Sequence, residues 1–98
     1  MMEEASVFMT HAIGLHARPS VKLTKLAKTF TAKIELSVSG EGPWIDAKSI
    51  VKVMAAKAPQ DTTLFFRAEG EDAGAALEAL KALVERDFDE GAADAANA

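Results

Sequence analysis

Seven consecutive residues, Gly14-Leu15-His16-Ala17-Arg18-Pro19-Ser20, combine the types and spacing needed to carry a phosphoryl group. Gly14 lets the backbone turn, and Pro19 is tolerated only in the first turn of a helix because it lacks an N–H and has a fixed φ. His16 is therefore expected at a helix start. The unpaired backbone N–H groups of a first turn and the positive end of the helix dipole favour an anion, and Arg18 adds a fixed cation. A neutral imidazole attacks well near pH 7 and, once phosphorylated, is a good leaving group. The chemistry implied is relay of a phosphoryl group, not hydrolysis.

At these residues the sequence resembles the histidine phosphocarrier protein (HPr) family of the bacterial phosphoenolpyruvate-dependent phosphotransferase system. The family signature Gly-Leu-His-Ala/Thr-Arg-Pro/Ala is present as Gly14-Leu15-His16-Ala17-Arg18-Pro19, and a second family stretch, Lys-Ser followed by apolar residues, as Lys48-Ser49-Ile50-Val51. The resemblance implies that His16 accepts a phosphoryl group on Nδ1 from phosphorylated enzyme I and passes it to an enzyme IIA-type protein, in the sugar-transport or the nitrogen-related branch. Arg18 would balance the charge, and the backbone N–H groups of Ala17 and Arg18 would meet the phosphate oxygens. The resemblance also makes Ser49 a candidate for regulatory phosphorylation by an HPr kinase/phosphorylase. On this reading the chain is a carrier that needs partner enzymes for turnover. The alternative is a noncatalytic regulatory interaction module switched at Ser49, which would have no need of His16 and Arg18.

Some residues depart from the pattern. His11 occupies a place where many nitrogen-related relatives carry asparagine, Pro19 resembles the sugar-transport branch, and Lys52 stands where several relatives with the regulated serine have glycine. His11 and His16 make two ligands without a nearby carboxylate motif, too few for a metal site, so neither metal nor cofactor is expected.

The elements that must position these residues fit one domain in 98 residues of 49% hydrophobic content. There is no cysteine, no apolar run of membrane-spanning length and no signal-peptide pattern at Met1-Met2-Glu3-Glu4, so a cytoplasmic location is expected. The net charge of −4 divides unevenly: up to Lys57 eight basic residues face five acidic ones, and beyond it three face ten. Arg18, Lys22, Lys25, Lys28, Lys48 and Lys52 would steer an acidic protein partner, while the overall acidity and few aromatics argue against nucleic acid.

Alternation predicts a strand over 5–9 and an amphipathic helix from Ala17 to about Thr29, with Leu23, Leu26, Ala27 and Phe30 inward and Val21 outward. A strand over 32–38 would place Ile34, Leu36 and Val38 on one face, followed by a turn at 39–42 and a return strand over 43–46. Ser49 would cap a helix running to about Lys57, in which Val53 and Ala56 are buried and Ile50, Val51 and Met54 form a surface patch. Ala17, Val21, Lys25, Lys28, Lys48, Ile50, Val51 and Met54 are thus the expected docking residues. A strand over 62–69 and a helix capped by Asp72, with Ala73, Ala76, Leu77, Leu80, Leu83 and Val84 inward, complete the body. Residues 1–86 form the expected domain, and 87–98 an acidic, alanine-rich, flexible tail.

The order β-α-β-β-α-β-α suits an α+β fold, an antiparallel sheet with three helices on one face. The resemblance implies an open-faced β-sandwich with strand order 1-4-2-3. Alternation sends Phe8, Trp44 and Phe65 to the uncovered face, where cross-strand stabilisation is the ordinary role and self-association the sharper one; a monomer is expected.

Overall fold

The computed structural model describes residues 2–9, 17–56, 58, 61–86 and 88, with only the backbone at Ala17. The expected loop over 10–14, His11, Leu15 and His16, Lys57, and the tail apart from Phe88 lie outside the described residues. The elements are β1 (Met2–Met9), α1 (Ala17–Ala27), β2 (Lys33–Ser37), β3 (Ile45–Asp46), α2 (Ile50–Ala55), β4 (Thr62–Glu69) and α3 (Ala73–Glu85). They form one four-stranded sheet of order β1-β4-β2-β3, every pairing antiparallel, so the fold is the expected open-faced β-sandwich.

Register joins the strands through their apolar residues. Ala5 pairs with Phe66, Phe66 with Leu36, and Leu36 with Ile45, while Val7 pairs with Leu64 and Ala68 with Ile34. Because side chains alternate across a strand, these residues share the helix-covered face. There they meet Leu23 and Ala27 of α1, Val53 of α2, and Ala73, Ala76, Leu77, Leu80, Leu83 and Val84 of α3. Phe88, beyond α3, is fully buried in the same core.

Five sequence expectations need correction. β1 begins three residues earlier than expected, because β4 offers it a partner as far as Glu69. Val38 is exposed and Ser37 buried, the reverse of the expected alternation. Ser37 Oγ accepts the N–H groups of Ser39 and Gly40 at 3.1 Å each, which ends the strand and folds the following turn over the outer sheet face. Gly40 there has φ 80°, and a Cβ on it would stand 3.2 Å from the Phe65 ring. The return strand shrinks to two residues, and Ala56 is only half-buried, since α2 stops at Ala55.

Asp72 is the fifth correction. It stands at the N-cap position of α3, but its φ and ψ of −100° and 20° are not those of a capping residue and its side chain makes no cap bond. Its carboxylate instead accepts the Thr31 and Ala32 N–H groups at 2.8 Å each and the Thr31 hydroxyl at 3.2 Å. Asp72 thus ties the start of α3 to the stretch entering β2. Gly70, at φ 142°, allows the approach, because a Cβ there would lie 2.9 Å from Ala32 Cα.

The Thr31 N–H bond, joined by those from Ala32 and the Thr31 hydroxyl, holds the Asp72 carboxyl below its ordinary pKa of 3.8. A carboxylate with a depressed folded pKa adds stability above its unfolded pKa and loses it as pH falls through the folded value. Chemical denaturation of the wild type and Asp72→Ala at several pH values is expected to show a difference that is full at neutral pH. The two should converge as pH drops below about 3.8; a gap independent of pH would contradict the ionic assignment.

Candidate phosphate and docking face

α1 begins at Ala17, immediately after His16, and Pro19 lies buried within its first turn, where its missing N–H costs no helical bond. The helix start expected beside His16 is therefore present. Arg18 is exposed in that first turn. Thr24 Oγ1 donates to the carbonyls of Ser20 at 2.9 Å and Val21 at 3.1 Å, turning a polar side chain back on its own helix. At the far end, Thr29 N–H donates to Leu26 and Phe30 N–H to Ala27, so the helix closes in a tight turn.

α2 packs on α1. Asp46 Oδ1 accepts the Lys48 N–H at 2.9 Å, and Ser49 Oγ accepts the Lys52 N–H at 3.3 Å, making Ser49 the N-cap. On α2 only Val53 is buried, while Val51 is 74% exposed and Met54 41%. Val21 on α1 is 43% exposed, and Lys25, Lys28 and Lys52 are exposed. Two adjoining helices thus present apolar side chains with basic neighbours, as the sequence suggests. Ile50 is half-buried and contributes less of this face than expected.

Lys48, expected among the docking residues, has a bond inside the fold. Its Nζ donates to the Phe30 carbonyl at 2.7 Å, so its charge sits on the C-terminal end of α1 and straps α2 to that helix. A mixed groove of about 750 Å³ at the β2–β3 edge includes Lys48, Lys52, Glu35, Trp44 and Asp46. Lys48, Glu35 and Asp46 are already engaged within the fold, so the groove offers a ligand few open charges.

The outer face contains a cluster that the sequence reading missed. Arg67 Nε donates to Glu35 Oε1 at 2.8 Å, and its guanidinium carbon stands 4.3 Å from the centroid of the Trp44 ring. β-alternation from Phe65 would have placed Arg67 on Trp44's face. Phe8 is 53% exposed, whereas Phe65 lies against Gly40 and Trp44 against Arg67, both half-buried. Among the described residues no three His, Asp or Glu side chains are grouped to hold a metal ion.

The family model "PTS HPr component phosphorylation site" matches residues 3–86. A phosphocarrier protein HPr of Cupriavidus necator is 38% identical over 90 residues, covering 92% of this chain and 99% of that protein. A phosphocarrier protein NPr of Shewanella violacea is also 38% identical, over 89% and 93% of the two chains. The crystal structure of an HPr from Thermoanaerobacter tengcongensis superposes with a TM-score of 0.82 at 31% identity, covering 90% of this chain and 97% of that one. The fold and the family match define a small carrier domain, and the chain belongs to the HPr family of phosphotransferase-system phosphoryl carriers.

The strap lysine and the exposed lysines of the helix face should separate by experiment. Lys48→Met is expected to lower unfolding free energy by about 1 kcal/mol through loss of its bond to Phe30. Lys25→Met, on an exposed helix face, should change it by less than about 0.5 kcal/mol. Urea unfolding of both variants gives the comparison.

Proposed function

We propose that His16 is the phosphoryl acceptor, supplied by phosphorylated enzyme I and discharged to an enzyme IIA-type protein, in the cytoplasm. The observation that carries this reading is the start of α1 at Ala17 with Arg18 exposed beside it, on a helix face that also presents Val21, Val51 and Met54. The His16 Nδ1 lone pair forms the new P–N bond while the donor's P–N bond breaks, its electron pair returning to the donor imidazole. The second transfer repeats this step in the opposite sense. Arg18 and the N–H groups of Ala17 and Arg18 offset the phosphoryl charge. Helix-end electrostatics contribute only about 0.3–1 kcal/mol at an exposed site, so a docked partner must complete the reaction geometry.

Ser49 has a second proposed role beside its cap. Phosphorylation by an HPr kinase/phosphorylase would set a dianion next to Val51 and Lys52 and repel an acidic partner. Mass spectrometry after kinase treatment tests this, and an unmodified Ser49 would remove it. The chain is taken as a monomer. Sedimentation of wild type and Phe65→Thr over a concentration series tests self-association through Phe8, Trp44 and Phe65.

Incubation with phosphoenolpyruvate and enzyme I is expected to add one acid-labile phosphate by intact mass, absent in His16→Ala. Arg18→Ala should slow uptake by about tenfold or more, the cost of a lost charge-assisted hydrogen bond. Val51→Glu is expected to slow it by about tenfold through like-charge repulsion of an acidic partner, while shifting stability by less than about 0.5 kcal/mol. An unmodified wild-type chain with a competent enzyme I would refute the carrier site.

A further inference from the structure

α2 closes on two alanines, and space opens beside them at the sheet edge. Ala55 ends the helix and Ala56 caps it, half-buried, while β3 pairs with β2 only through Ile45 and Asp46. Between the helix end and the sheet lies a hollow of about 340 Å³, with the fully buried Leu36 and the half-buried Ile45 as its floor. Val38, Pro43, Ala55 and Ala56 make its walls. A hollow of that size with an aliphatic lining suits a small molecule. Its one uncharged polar side chain, Ser37, is already occupied, because Ser37 Oγ accepts the Ser39 and Gly40 N–H groups.

A single charge stands at the mouth. Lys52 lines this hollow and also the larger groove that holds Trp44, and the two spaces share Ile45. The Lys52 backbone N–H donates to Ser49 Oγ, but its exposed ammonium has no bonding partner among the described residues. The acids of the larger groove have other partners: Glu35 pairs with Arg67 at 2.8 Å, and Asp46 accepts the Lys48 N–H at 2.9 Å. One unpaired ammonium beside an aliphatic floor matches one anionic group on an apolar body. A sugar phosphate would bring hydroxyls and a second charge for which this lining offers no side chain, and a hydrocarbon would leave Lys52 unused.

We infer that the hollow binds an aliphatic monocarboxylate, its carboxylate on Lys52 Nζ and its carbons against Leu36, Val38 and Ile45. Each methylene seated there leaves water, so affinity rises with chain length until the hollow is full. The carboxylate adds a smaller, salt-sensitive share, since the lysine is exposed.

The test titrates the whole chain with butanoate, hexanoate and octanoate at constant ionic strength, with methyl chemical shifts and Trp44 emission as readouts. Saturable shifts at Leu36, Val38 and Ile45 are expected, and the dissociation constant should fall about two- to fourfold per added methylene. Lys52→Met keeps an apolar stem without the ammonium: hexanoate should bind it about two- to fivefold more weakly, while neutral 1-hexanol binds both proteins alike. Ala56→Leu fills the hollow and should abolish saturation; the wild-type series and Lys52→Met still decide if that variant does not fold. Shifts that do not saturate, or that scatter over the molecule, would overturn the site. Equal hexanoate affinity in Lys52→Met would overturn the ion pairing and with it the monocarboxylate assignment. Shifts at the hollow that follow protein concentration without ligand would give it to a second copy and overturn the inference.

Discussion

The parity of β4 governs the molecule. This strand pairs with β1 on one side and β2 on the other, so Leu64, Phe66 and Ala68 must face the helices in both pairings at once. A slip of one residue in either register would turn an apolar row to solvent and bring Arg67 inward. Only one arrangement satisfies both neighbours. It also sets which end of the sheet receives the chain leaving β1, and hence where α1 begins.

From that constraint follows a division of labour between the two faces. The inner face is occupied by packing, and no helix among the described residues is long and apolar enough to cross a membrane. The proposed function uses the outer surfaces of α1 and α2. α2 has only six residues and one buried anchor, Val53, yet it is held at its start by the Ser49 cap and by Lys48 on Phe30. A short helix so pinned can expose Val51 and Met54 without losing its seat.

The sequence made the periodic parts legible. Helix α3 could be read residue by residue, because all six inward positions follow from one 3.6-residue repeat. The Gly-Leu-His-Ala-Arg-Pro run marked the start of α1 through the chemistry of proline. Periodicity is silent about side chains that bond remote backbone. Asp72 looked like a cap because capping is local, whereas its true partners are 40 and 41 residues away. Lys48 looked like a free charge for the same reason, and Ser37 concealed a turn inside an alternating strand. His16 itself was legible only as a motif, since it lies outside the described residues.

Trp44 has an optical consequence. It is the only tryptophan, and the chain has no tyrosine, so near-ultraviolet emission comes from an indole lying against Arg67, beside the groove that Lys52 also lines. That emission follows the Arg67–Trp44 contact and the β2–β3 turn. It therefore reports whether the sheet is assembled, and because Trp44 shares its groove with Lys48 and Lys52, a protein that covers Lys52 also reaches the chromophore's surroundings. Intrinsic fluorescence is thus a gauge of folding in this molecule and of what arrives at the edge between β3 and α2.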